Sequence, residues 1–190
     1  MNRVGDAYFA EIYAREPDPW GFASRWYETR KYALTVAALP RQRYARAFEP
    51  GCSIGVLTER LAERCDALVA TDLIAAVVDR ARERVRRFRH VDVRIGAIPD
   101  DWPEGRFDLV VLSEVAYYLT ATGFAQLLGK LDASLVPGGH VVAVHWTGPT
   151  DYPQTASRVH DCLDNHASWS RHATYAEPSF VLSVYERSKP

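Results

Sequence analysis

Beyond Tyr44 the chain switches repeatedly between short apolar, β-branched runs and stretches whose apolar residues recur every third or fourth position. Tyr44–Glu49, Ala67–Thr71, Val91–Ile95, Phe107–Ser113 and Val141–Trp146 read as strands. Val56–Cys65, with Leu57, Leu61 and Cys65 on one stripe, Ala75–Arg87 and Gly123–Leu135 read as helices. Strands that alternate with helices take right-handed crossovers into a parallel sheet covered on both faces, so the fold class is α/β. Pro137-Gly138-Gly139 predicts a turn that stops the Gly123–Leu135 helix and launches the next strand. After Trp146 the pattern changes to a helix over Thr155–Ala167 and two strands, Arg171–Ala176 and Phe180–Glu186, joined by the short turn Glu177-Pro178-Ser179. Before Tyr44 stand two aromatic-rich helices. The first carries Tyr8, Phe9, Ile12 and Tyr13 with Asp6 as its cap; the second runs from Trp26 to Ala38 and is stopped by Pro40.

Composition bounds what such a sheet can serve. The 190 residues suit one domain, organised as an N-terminal helical flap (1–40), a core (44–146) and a C-terminal helix and hairpin (147–190). A net charge of −1 offers no field for a phosphate backbone, so nucleic acid is not an expected partner. Cys52, Cys65 and Cys162 are odd in number and lack ligand spacing, which points to a reducing cytoplasm and to no metal. No uncharged run is long enough to span a membrane, and Asp6 and Glu11 stand where an export signal would be basic. The Arg80–Arg89 run interleaves with Asp79 and Glu83 late in a helix and reads as a solvated face.

The chemistry concentrates at strand ends. Glu49-Pro50-Gly51-Cys52-Ser53-Ile54-Gly55 is a small-residue loop between a strand and a helix, where a ligand can approach the main chain. Its glycines lack both the three-glycine dinucleotide spacing and the Gly-Lys-Ser/Thr of a phosphate loop, so a pyrophosphate is not the expected guest. Asp72 ends the second strand 21 residues after Gly51, near the ~20-residue offset at which a carboxylate meets a ribose diol. A ribose without a pyrophosphate fits an adenosine carrying an amino-acid tail, such as S-adenosylmethionine.

These stretches, with Phe107–Glu114 and Pro137-Gly138-Gly139-His140, resemble the successive motifs of class I S-adenosylmethionine-dependent methyltransferases. Asp18-Pro19-Trp20, Glu114–Leu119 and Trp26–Lys31 are similar to the nodulation-type, NodS-like N-methyltransferases, which methylate an amino-sugar nitrogen in chitooligosaccharide signals. The resemblance implies a Rossmann-like, mostly parallel seven-stranded sheet with an antiparallel C-terminal strand. It implies that Glu49 orients the loop or meets the cofactor ammonium, and that Gly51, Cys52, Ser53 and Gly55 line the methionine moiety. It further implies that Asp72 holds the ribose, that Leu73 packs on the adenine, and that Ser113 and Glu114 face the methyl. The acid that often follows the third strand in the family is missing here, which leaves Ala97, Ile98 or Asp100 for the adenine amino group.

An amine must be neutral when it attacks, so Glu114, His145 and Asp151, in that order, are the expected proton acceptors. Each has a plainer reading: Glu114 as a cap of the next turn, His145 as a satisfied strand histidine. Tyr117, Tyr118 and Trp146 are expected to wall an acceptor pocket or simply to pack. Trp20, Arg30 and Lys31 are expected to close over the cofactor, a cation meeting its carboxylate, or to form a solvated face. A small-molecule or oligosaccharide amine is the expected acceptor; a hydroxyl acceptor and a catalytically silent cofactor-binding module are the rivals.

Overall fold

A computed structural model describes residues 3–188. Its centre is a seven-stranded sheet in the order β3-β2-β1-β4-β5-β7-β6. The strands are β1 (Ala47–Pro50), β2 (Leu68–Asp72), β3 (Val91–Ile95), β4 (Phe107–Ser113), β5 (Leu135–Trp146), β6 (Trp169–Glu177) and β7 (Phe180–Arg187). The first five run parallel, and β7 lies antiparallel between β5 and β6. The helices are α1 (Asp6–Arg15), α2 (Trp26–Ala37), α3 (Val56–Ala62), α4 (Ala75–Val85), α5 (Ala121–Ser134) and α6 (Ala156–Asp164). Among the described residues no helix is long and apolar enough to cross a membrane.

Successive residues of a strand face opposite sides, and β4 shows what this does to a continuous apolar run. Val110 and Leu112 join one core with Phe124, Leu127 and Leu131 of α5 and Val159 and Leu163 of α6. Leu109 and Val111 join the other, with Tyr32 of α2 and Leu57 and Leu61 of α3. Val78, Ala81 and Val85 of α4 cover β2 and β3 through Ala70 and Val93. Both faces of the central strands are therefore covered, and the sheet can use its carboxyl-end edge for a ligand. The strand order reverses between β1 and β4, which pair directly. The loops leaving these two strands consequently diverge and leave a crevice between them.

Several boundaries differ from the sequence reading. Tyr44 makes only an isolated bridge to Cys65, and the first strand begins at Ala47. β5 already starts at Leu135: its pairing jumps from Phe107–Leu135 to Leu109–His140, so Pro137-Gly138-Gly139 is looped out of a strand instead of preceding one. Gly5, not Asp6, occupies the cap position of α1, and the Asp6 side chain lies outside the described residues. A 3-10 turn over Ala116–Tyr118 follows β4, where no element was expected.

Candidate active site

The crevice between the β1 and β4 loops opens into a cavity of about 600 Å³, within the range of small-molecule sites. At one end lies the loop after β1. Gly51 has φ +71°, and a Cβ there would meet the Val115 side chain at 3.0 Å, so only glycine lets the two loops approach. Ser53 also has positive φ, +48°, and its N–H donates to Asp72 Oδ2 at 2.9 Å. The Ile74 N–H donates to Asp72 Oδ1 at 3.1 Å. Burial raises the Asp72 pKa while these backbone donors oppose the rise. The carboxylate is thus fixed in direction with lone pairs to spare for hydroxyl donors.

Glu49, at the end of β1, is 2% exposed and its Oε2 has no partner among the described residues. Burial pushes its pKa up to about 8, with the nearby Asp72 charge adding and the Thr58 hydroxyl opposing. An orphaned carboxylate oxygen in such a wall is a ready acceptor for a ligand cation. Burial likewise raises the Cys52 thiol far above its usual range, so it is a small protonated loop residue.

Glu114 organises the other end. It follows β4 with φ +55°, a conformation that costs a residue with a side chain ~1–3 kcal/mol and that its N–H bond to Val144 O, at 2.8 Å, helps to hold. Its Oε1 accepts from Lys31 Nζ at 2.7 Å; its Oε2 accepts from the Tyr117 hydroxyl and from the Trp146 N–H at 3.0 Å. Lys31 also pairs with Glu28 at 3.0 Å. Burial lowers the Lys31 pKa, but the charges of Glu114 and Glu28 outweigh it and leave it raised. The Tyr117 phenol is raised by burial and by the Glu114 charge, so it remains a donor. Around this hub Phe9, Tyr118 and Tyr152 meet edge to face, with centroids 4.9 Å (Phe9–Tyr118) and 4.5 Å (Tyr118–Tyr152) apart.

The family profile of Nodulation protein S (NodS) matches residues 9–133, well over half of the chain. The chain belongs to the NodS family. Its seven-stranded, mostly parallel sheet with antiparallel C-terminal strands is the one that the resemblance to class I S-adenosylmethionine-dependent methyltransferases implied. Nodulation protein S of Rhizobium tropici is 33% identical over 127 residues, 66% of this chain and 53% of the relative. This NodS-family chain thus spans about half the length of that relative. A crystal structure from Pseudomonas syringae, assigned as a methyltransferase, is 43% identical with a TM-score of 0.76 over 86% of this chain and 100% of the other. The N-methyltransferase NodS of Bradyrhizobium japonicum WM9, in complex with S-adenosyl-l-homocysteine, has a TM-score of 0.86 at 22% identity over 96% of this chain and 98% of that one, a likeness of fold.

The residues singled out in the sequence of this NodS-family chain divide clearly. Trp20, Lys31, Glu49, Gly51, Cys52, Ser53, Asp72, Leu73, Ala97, Ile98, Ser113, Glu114, Tyr117, Tyr118 and Trp146 all line the cavity. Five expected residues lie off its wall, one of them Asp100, which pairs with Arg3 at 3.0 Å. Arg30 turns outward to Glu177 (2.6 Å) and the Tyr175 hydroxyl (2.6 Å), so its cation is already used. Gly55, at φ +78°, caps α3 and packs on α4, where an added Cβ would meet Ala81 Cα at 3.0 Å. His145 is fully buried behind Tyr117, bonded through Nδ1 to His160 Nε2 at 3.1 Å; burial holds its pKa well below the usual value, which makes it a neutral structural group. Asp151 is exposed on the loop after β5. Lys31 lines the cavity, and its ammonium pairs with Glu28 at 3.0 Å and with Glu114 at 2.7 Å. Sequence reasoning missed Tyr13, Tyr27, Glu28 and Tyr152 as wall residues. Tyr13 was visible as part of a helical stripe, but nothing local shows that its hydroxyl meets Ser53 Oγ at 2.6 Å.

Proposed function

We propose that the chain transfers a methyl group from S-adenosylmethionine to a neutral amine nitrogen of a small or mid-sized acceptor, with an amino-sugar nitrogen as the class the family resemblance implies. The observation that carries this reading is the polarity of the cavity: an orphaned acid and a fixed acid beside the β1 loop at one end, and one carboxylate ringed by tyrosines at the other. When bound, the cofactor supplies a methyl already made electrophilic by its sulfonium. Glu49 Oε2 accepts from the cofactor ammonium, Asp72 accepts from the ribose hydroxyls, and the Ala97–Ile98 segment borders the adenine. Phe9, Tyr118 and Tyr152 exclude water, so most of the acceleration comes from alignment in a dry site. Three of the hydrogen-bonding positions of Glu114 are filled by Lys31, Tyr117 and Trp146. The remaining one is enough to orient an amine and take up its proton.

Calorimetry and product assay test the two ends separately. Asp72→Ala is expected to weaken S-adenosylmethionine binding on the order of 10- to 100-fold, because a charged acceptor of two hydroxyls is lost. Glu114→Gln is expected to lower turnover on deacetylated chitooligosaccharides more than it changes cofactor affinity. Unchanged affinity in the first variant removes Asp72 from the site. Tight binding by the wild type without S-adenosylhomocysteine formation from any amine or hydroxyl acceptor supports a silent binding module instead.

A further inference from the structure

At the opposite end of the sheet, three side chains from three neighbouring strands converge: His140 of β5, Glu186 of β7 and His172 of β6. His140 and Glu186 are direct cross-strand partners, so their side chains share a face. His172 is the extra residue of a bulge in β6, where the pairing skips from Arg171–Tyr185 to Ala173–Val184. Bulges re-aim a side chain, and here the His172 ring lies edge to face on His140, 5.9 Å between centroids. Glu186 Oε2 stands 3.7 Å from His140 Nε2 and 4.0 Å from His172 Nδ1. The contributing atoms all lie within 4.8 Å of one another. These separations exceed a hydrogen bond, and no hydrogen bond reaches the Glu186 carboxylate among the described residues.

We propose that His140 Nε2, His172 Nδ1 and Glu186 form a binding site for a divalent transition-metal ion, with zinc or nickel as the fitting class. Two imidazoles and a carboxylate are the donor set such borderline ions take, with one or more positions left to water. Ligand atoms around zinc stand roughly 3.3 Å apart, given metal–ligand distances of ~2.0–2.1 Å. The triad reaches that by closing inward, which its two partly exposed members are free to do: the His172 and Glu186 side chains are 48% and 35% exposed. The fixed member is His140, 3% exposed, whose Nδ1 is held by the Tyr44 hydroxyl at 3.2 Å. A ring oriented through one nitrogen and offering the other is the arrangement of metal-bound histidines. The nearby Arg41 guanidinium is engaged by Gly138 O at 2.7 Å and by Asp108 at 3.5 Å.

Such an ion would tie the edge strand β6 to β5 across β7. β6 has one strand neighbour and is exposed along most of its length, so it gains most from a clip. The site lies roughly 20 Å along β5 from Trp146 at the cavity, taking ~3.3 Å per residue. It is therefore separate from the methyl-transfer site.

The full chain, stripped of metal and without cofactor, is titrated with Zn²⁺ and with Ni²⁺ by calorimetry and equilibrium dialysis. One equivalent is expected, with a rise in Tm on metal addition. His172→Ala and Glu186→Gln, both at partly exposed positions that leave the buried His140 in place, are expected to weaken binding at least about tenfold and to abolish the Tm rise. Absence of a bound equivalent, or equal affinity in wild type and both variants, overturns the site.

Discussion

At the scale of the residue, Glu49 couples ligand binding to protons. Its pKa, pushed up to about 8 chiefly by burial, lies far above the ~4.3 of an unfolded glutamate. Between the two values the folded chain binds more protons than the unfolded one, so this residue's contribution to stability is present at low pH and is lost as pH rises through about 8. Glu49→Gln removes that titration, and the decline of Tm between roughly pH 5 and 8.5 should become shallower in the variant. A cation brought to Oε2 acts in the opposite sense by favouring the carboxylate. Binding of S-adenosylmethionine near pH 7 should therefore release a proton. Calorimetry in buffers of different ionisation enthalpy measures it directly; a heat independent of buffer, or the same release from Glu49→Gln, would separate Glu49 from the ligand cation.

At the scale of the element, what could be read from the chain was what depends on near neighbours. The continuous apolar run of β4 and the period-3.6 stripe of α3 are local consequences of which side chains face a core, so β4 stands where expected and α3 starts at Val56 as expected, though it ends at Ala62, short of Cys65. Pairs made by the folding of one element over another were not legible. His145 and His160 meet only because α6 returns across the sheet, and Arg30 and Glu177 only because α2 reaches the hairpin tip. The Pro137-Gly138-Gly139 excursion misled because a looped-out stretch within a strand carries the same residues as a turn before one. Gly55 was read as a ligand contact, whereas its surroundings assign it to the α3–α4 junction. Gly55→Ala adds a left-handed φ to a side chain and forces a Cβ against Ala81, together about 2 kcal/mol of lost stability. Adding Ala81→Gly removes the Ala81 Cβ but leaves the Ala81 Cα at 3.0 Å and the φ, so a double-mutant cycle by urea denaturation should show only a partial coupling, about 0.5 kcal/mol. Additive effects would mean that the Ala81 backbone, not its methyl, meets the new side chain.

At the scale of the whole molecule, the cavity is completed by residues far from the strand ends that define it. α2 is held from several sides: Lys31 binds Glu114 at 2.7 Å on the inside, Arg30 binds Glu177 at 2.6 Å on the hairpin, and Arg60 and Arg64 donate to Thr29 O at 3.2 Å and Val36 O at 3.0 Å. The Tyr27 hydroxyl adds a bond to Ser179 O at 3.3 Å. Among the described residues α1 meets the β1 loop through a single side-chain hydrogen bond, Tyr13 to Ser53, and the Tyr13 ring packs edge to face on Trp20 at 5.4 Å. Since Tyr13 and Trp20 wall the cavity beside the β1 loop, a ligand resting on that loop is expected to leave by displacing them. Tyr13→Phe keeps the ring and removes the one bond, a loss of ~1 kcal/mol, which corresponds to about a fivefold faster release of S-adenosylmethionine if α1 must lift. Trp20 reports the release in stopped-flow fluorescence. Tyr27→Phe, which removes a comparable hydroxyl bond from α2, serves as the matched control and should leave the release rate near the wild-type value. Equal rates in wild type and Tyr13→Phe would place the exit elsewhere, and acceleration in both variants alike would make the N-terminal segment one rigid cover instead of a latch on α1.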